Sequence, residues 1–365
     1  MTEVIVVGAG PAGSTAAFVL AQAGLEVLLL EKRRFPRDKL CGGFLAARTL
    51  GLLEELHGRE APAALYHHTD DRFQVWHAGA LLADRRLGDR MAFVQRIEFD
   101  HFLAEQARRA GAVLEEEQEA VGVAWEPDGV TVQLKGGDTR RARWVVGADG
   151  ALSKVRRQLE PGFQPGGVAL ELHARGQEDQ PPRLDFGLFP WGYGWRFPKR
   201  DCVSVGVGGW RRGGGERALL KAYLERLGLK DTSAPGWPLP DHPAAVLARG
   251  RLLLAGDAAG FCEPITGEGL YYALRSGQRA ALAVLAAREA PASRAAEALK
   301  DSYRDGTAHI RRQIRASLLF RHFFHHPRAQ GRLLGILCDL PELHSVEWSD
   351  IFRCTLTGIW RQRPR

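Results

Sequence analysis

Val4-Ile-Val-Val7-Gly8-Ala-Gly10-Pro-Ala-Gly13 is the stretch from which the fold follows. A short β-branched run ends in glycine, and Ala12 to Ala23 then shows the apolar spacing of a helix. Glu26 to Leu30 reads as a second buried strand ending at Glu31, so the chain opens as strand, helix, strand. In that context a GxGxxG pattern predicts dinucleotide binding. Gly8 permits the tight turn, Gly10 lets the backbone approach a pyrophosphate, and Gly13 lets helix and strand pack closely. The helix N-terminus offers free N–H groups to the anion. Glu31, 18 residues beyond Gly13, stands where a carboxylate accepts hydrogen bonds from an adenosine ribose. The pattern alone does not separate NAD from FAD.

Outward from this opening, Phe99 to Arg109 is expected as a helix, and Ala112 to Glu117, Val130 to Leu134 and Trp144 to Gly147 as strands. From about Gly166 to Gly209 the pattern changes. Val203, Val205 and Val207 alternate among glycines and aromatics, as in antiparallel strands. After the Pro-rich connection Pro235 to Pro243, Arg251 to Ala255 returns to the buried-strand pattern and Leu270 to Ala287 to a helix. The expected fold is therefore α/β: a discontinuous Rossmann-like domain, a mixed or antiparallel sheet domain and a C-terminal helical region. Residues 1–65, 91–160 and 246–291 make the first, 66–90 and 161–245 the second, and 292–365 the third.

Composition limits the function classes. With 365 residues, 45% hydrophobic and 25% charged, the chain has the profile of a globular protein of two or three domains. No apolar run approaches the ~20 residues of a spanning helix, and no basic segment precedes the first strand, so a cytoplasmic protein is expected. Five cysteines without a CxxC pair predict free thiols and no zinc site. A net charge of +7 without a basic stripe interleaved with aromatics predicts no nucleic-acid partner. His67-His68 and His322, His325 and His326 lack companion ligands, so no metal is expected and these histidines are read as solvated.

Two later segments discriminate between cofactors. Val145-Val-Gly-Ala-Asp149-Gly150 places an Asp-Gly turn at a strand end, with Ser153 able to cap the next helix. Leu252-Leu-Leu-Ala-Gly256-Asp257 ends another strand in Gly-Asp, and Pro264-Ile-Thr-Gly267-Glu-Gly269-Leu270 opens a helix. Together with the first motif these segments resemble the flavoprotein hydroxylase superfamily, whose fold is that of para-hydroxybenzoate hydroxylase. The resemblance implies FAD, with Asp257 on the ribityl chain and the helix starting near Gly269 aimed at the flavin pyrimidine edge. Phe93-Val-Gln-Arg96 resembles the family's arginine that reaches the FAD. Cofactor positions implied in this way are Gly8, Gly10, Ala12, Gly13, Glu31, Lys32, Cys41, Gly42, Gly43, Arg96, Val121, Asp149, Gly256, Asp257, Gly267, Gly269 and Leu270.

Phe35-Pro36-Arg37-Asp-Lys39-Leu-Cys41-Gly42-Gly43 is similar to the FPRxKxCGG segment of geranylgeranyl reductases. Tyr193-Gly-Trp195-Arg-Phe197-Pro198, followed by Gly206-Val-Gly208, resembles that family's substrate signature. The resemblance spans about residues 1–280 and implies hydride transfer from reduced flavin to an isolated alkene of a prenyl lipid or prenylated small molecule. It implies Tyr193, Trp195, Phe197 and Pro264 at the substrate and Cys41 beside the isoalloxazine, as proton donor or positioning group. Period-two alternation places the three aromatics on one face of a strand, which fits either a pocket wall or a sheet core. With no second GxGxxG, electrons would come from transiently bound NADPH, a ferredoxin-type protein or a chemical donor. The alternatives are an aromatic monooxygenase or halogenase of the same superfamily, and a non-catalytic flavin-binding or prenyl-carrier protein. The tail from His309 to Trp360 is read either as a helical cap or as a surface that meets an anionic membrane. Oligomeric state is left open.

Overall fold

The computed structural model describes residues 2–126, 128–176, 179–210, 215–229, 234–326 and 328–339. A parallel sheet runs in the order Leu252–Leu254, Thr139–Gly147, Thr2–Val7, Val27–Leu30, Val113–Glu115. The hairpin of Ala120–Trp125 and Val130–Leu134 extends it through antiparallel pairing with Thr139–Gly147. Val4 to Val7 are buried on both faces, as a parallel sheet covered by helices requires. Helix Pro11–Gln22 crosses from the first strand to the second and packs against Arg96–Arg109 and Leu270–Glu289. The Arg96–Arg109 helix begins three residues before the expected Phe99. Its first turn is fastened by a buried two-pronged pair, Arg96 to Asp100 at 2.6 and 2.8 Å, one helical turn apart.

A second sheet follows the order Gly236–Leu239, Gly167–Ala174, Val203–Gly209, Gly192–Pro198, Arg183–Phe186, His68–His77, Ala80–Phe93, Phe44–Leu45. It is mixed, since Arg183–Phe186 runs parallel to His68–His77. Phe44 and Leu45 pair with Phe93 and Ala92, so this sheet draws a strand from the 1–65 segment and continues beyond residue 90. Leu170, Leu172, Val203, Val205 and Val207 pack on one face against helix Glu216–Leu227. Tyr193, Trp195 and Phe197 occupy the other face with Phe73, Leu184 and Phe186.

Helices Ala295–Gly306, Ala308–Phe324 and Gln330–Asp339 form the described C-terminal region, and the rest of the tail, including Cys354, lies outside the described residues. Tyr303 donates to the Leu254 carbonyl at 2.6 Å, while Phe324 and Leu334 join the apolar cluster of the second sheet, so these helices cap both sheets. Among the described residues no helix is long and apolar enough to cross a membrane, and no cluster of three or more ligating side chains stands ready for a metal.

Not every histidine is solvated as expected. His325 is buried between Trp191 and Phe324, and the His67 ring is enclosed while its Nε2 meets Glu98 at 2.8 Å. His57, which the sequence did not single out, lies tilted against Phe18 and edge-on to Phe102 with neither ring nitrogen partnered. Burial lowers both His57 and His325 to about 4. Folded protein therefore keeps these rings neutral while unfolded chains protonate them near pH 6.5, so the unfolded state binds more protons between those values. Stability is expected to fall as pH drops through that window. Urea midpoints measured at pH 7 and about 4.5 should show a shallower loss in His57→Leu than in the wild type, and an equal loss would contradict the assignment.

Candidate active site: a dinucleotide cradle continuous with an aromatic wall

One cavity of about 490 Å³ spans the two sheets. Gly8, Gly10, Ala12, Glu31, Lys32, Cys41, Gly42, Gly43, Arg96, Asp149, Asp257, Gly267, Gly269 and Leu270 line it together with Tyr193, Trp195 and Phe197. Gly13, Val121, Gly256 and Pro264 do not. Gly13 faces the protein, where an added Cβ would lie 1.8 Å from the Gly8 carbonyl oxygen. Gly256 has its space taken by Ala12. Val121 follows Ala120, which lines the cavity, and is the extra residue where the register with the neighbouring strand shifts between Ala120 and Gly122.

The three glycines of the first motif have different physical reasons. Gly8 takes φ +97° and closes on the Ala148 carbonyl, so the turn itself demands it. A Cβ on Gly10 would meet no protein atom within 4 Å, and Gly10 borders the cavity. Packing does not explain glycine there, whereas a ligand pressed against the backbone does. Glu31 accepts from Ala9 N at 3.2 Å, Arg33 N at 3.1 Å and Arg37 at 3.0 Å, which leaves acceptor capacity on a carboxylate with about four sites. Asp149 is engaged differently. Its oxygens accept from Ser153 Oγ at 2.5 Å and from the backbone N–H of Lys154 and Val155 at 2.7 and 3.2 Å, so it organises the start of helix Lys154–Leu159. Ser153 caps that helix by accepting from Arg156 N at 2.8 Å.

Across the cavity, Asp257 stands in the turn Gly256–Ala259 with Lys39 Nζ at 3.5 Å. The N-terminus of the 20-residue helix Leu270–Glu289 opens beside it and presents its positive end to the cavity. Trp237 also lines this region, and its indole N–H has no partner within the protein. The open cradle at Gly10, the helix ends and this unpaired donor fit a bound dinucleotide. FAD held here would supply hydride chemistry.

The Cys41-Gly42-Gly43 loop joins the cradle to the aromatic wall. A Cβ on Gly42 would lie 2.8 Å from the Phe197 ring, and one on Gly43, at φ +65°, would lie 2.0 Å from the Val94 carbonyl oxygen. Lys199, fully buried, donates to the carbonyls of Gly42 and Val94 at 2.5 and 2.7 Å and so fastens the loop to the second sheet. Burial lowers this ammonium to about 8. Cys41 Sγ accepts from Gly43 N at 3.4 Å and interacts with Arg96. Arg96 belongs in turn to a buried network in which Asp100 also holds Arg37, and Arg37 holds Glu31. The sequence did not single out Lys199, although a charged residue directly after the apolar strand is a visible signal. It also gave no role to Arg37, a member of the quoted loop motif.

On the wall, the Trp195 ring lies over Gly206, where a Cβ would fall 2.2 Å from the indole. Gly206 is thus glycine to make room for Trp195. The Trp195 N–H donates to Ser204 Oγ at 3.2 Å, and the Tyr193 hydroxyl donates to the Thr266 carbonyl. Burial raises Tyr193 well above the usual phenol range.

A parallel-sheet dinucleotide fold whose cradle opens onto an apolar wall defines a flavin-dependent oxidoreductase. Residues 1–173 match the FAD binding domain family model. The chain is 31% identical to the geranylgeranyl diphosphate reductase of Rhodobacter capsulatus over 78% of its own length and 75% of that protein. It is 29% identical to the digeranylgeranylglycerophospholipid reductase of Methanothrix thermoacetophila, covering 98% of this chain and 95% of that one. In fold it matches a geranylgeranyl bacteriochlorophyll reductase-like protein of Thermoplasma acidophilum, with TM-score 0.84, 23% identity and coverage of 100% and 97%. The chain belongs to the geranylgeranyl reductase family of FAD-dependent oxidoreductases.

Proposed function

We propose that this enzyme reduces isolated double bonds of a prenyl chain at the expense of reduced FAD. The observation that carries the reading is the continuity of the dinucleotide cradle with the wall of Tyr193, Trp195 and Phe197 in one cavity. An apolar chain laid along that wall is desolvated beside the flavin end of the cradle, and exclusion of water protects a reactive carbon centre. Glu31 would meet the adenosine ribose, Asp257 the ribityl chain, and the start of helix Leu270–Glu289 the pyrimidine edge. Cys41, whose sulfur is held by the Gly43 N–H and by Arg96, acts as a positioning group rather than as a proton donor. NADPH or a ferredoxin-type protein would renew the reduced cofactor. The exposed Leu319 and Phe323, with Arg312 and Arg315 beside them, offer a face for anionic lipid surfaces that carry such substrates.

The test is anaerobic incubation of FAD-loaded, dithionite-reduced protein with geranylgeranyl diphosphate, geranylgeraniol and a prenylated quinone. Mass spectrometry should find products heavier by one hydrogen molecule per double bond. Oxygen uptake coupled to substrate would point instead to a monooxygenase or halogenase, and flavin binding without turnover to a carrier.

A further inference from the structure

Strand Gly167–Ala174 turns Leu170 and Leu172 to the helix-covered face of its sheet, yet carries Glu171 between them. Glu171 is 1% exposed and lines the cavity. Ser204 Oγ donates to its Oε1 at 2.7 Å and in turn accepts from Trp195 Nε1. Gly206 is the register partner of both Glu171 and Trp195, so the carboxylate and the indole border the same space. His173, two residues on and on the same face, brings Nε2 within 3.5 Å of Oε1 while its side chain is 40% exposed. His173 and Glu171 thus connect solvent to the aromatic wall. A carboxylate buried in such a wall carries a desolvation cost that packing does not require.

The other ionisable groups facing Glu171 are committed. Lys199, just after the neighbouring strand Gly192–Pro198, holds two carbonyls, and the Tyr193 hydroxyl holds the Thr266 carbonyl. Strand Val203–Gly209 presents Ser204, and strand Gly236–Leu239 presents Trp237. Among the described residues, His173 stands within reach of Glu171 to exchange protons.

The geometry points to Glu171 as the acid that protonates the substrate alkene, recharged from solvent through His173. This rests on prenyl reduction as the reaction. FAD held in the cradle would supply the hydride, and so the C–H bond, at one alkene carbon. At the other carbon the π pair takes the Glu171 proton, the O–H bond breaks, and a carboxylate remains. The His173 imidazolium returns a proton to Glu171 and takes the next from water.

A purely structural role, holding Ser204 and through it Trp195, survives in Glu171→Gln because the amide keeps an acceptor oxygen. With FAD-loaded, dithionite-reduced protein and geranylgeranyl diphosphate or geranylgeraniol as probe, Glu171→Gln should keep wild-type flavin absorbance and melting. It should lose alkene reduction at least ~100-fold. His173→Gln, altered on its exposed side, should lower kcat while flavin absorbance, melting and KM stay at wild-type values. An active wild type with an equally active Glu171→Gln overturns the assignment, and so does an unchanged kcat in His173→Gln should Glu171→Gln fail to fold. A wild type inactive on every prenyl probe overturns the proposed reaction itself.

Discussion

Gly10→Val is expected to yield a folded protein that no longer retains FAD. The position borders the cavity, and a Cβ there meets no protein atom within 4 Å, so the apoprotein has room for the side chain. With the pyrophosphate against the backbone, the same isopropyl group occupies the ligand's place. A loss of at least ~100-fold in affinity, or about 3 kcal/mol, should appear in a flavin fluorescence titration, while the melting temperature without FAD stays close to wild type. Gly13→Val provides the contrast. Its Cβ would fall 1.8 Å from the Gly8 carbonyl oxygen, so that variant should fail to fold with or without FAD. A Gly10→Val protein that binds FAD with wild-type affinity would remove the pyrophosphate from this turn.

Trp195→Ala should abolish prenyl reduction and leave FAD bound. The indole forms part of the cavity wall, lies over Gly206 and is held by Ser204, whereas the dinucleotide motifs belong to the other sheet. A fully packed tryptophan costs ~3–5 kcal/mol to truncate; here one side of the ring already borders the cavity, so the loss of stability should fall below that range. Flavin absorbance per protein should therefore be unchanged while turnover of a geranylgeranyl probe falls at least ~100-fold, the expected result of losing a close-fitting wall. Normal turnover in a folded, FAD-loaded variant would show that the aromatic row is core alone.

The contrast between these two variants repeats the division between what was legible in the chain and what was not. Strands such as Thr2–Val7 and Val27–Leu30 could be read because a sheet covered on both faces needs continuous apolar runs, and the glycine turn between them follows from local backbone sterics. Helix Arg96–Arg109 starts three residues before the expected Phe99 because Asp100, one turn on, pairs with Arg96 inside the fold, a contact that the apolar spacing from Phe99 does not carry. Phe44–Leu45 gave no strand signal. Two residues have no period, and their conformation comes from pairing with Phe93 and Ala92, about fifty positions away.

By itself the sequence determined the α/β opening, the positions of the Gly-Asp turns and the side-by-side placement of Tyr193, Trp195 and Phe197, since each depends on spacing within a single element. Only the tertiary structure decided that the aromatic strand faces the dinucleotide cradle, that Lys199 fastens the Cys41–Gly43 loop and that Glu171 and His173 meet beside Trp195. These are contacts between strands and loops far apart in the chain. Local propensity says nothing about which of them meet, and the closing of one sheet over the other settles it.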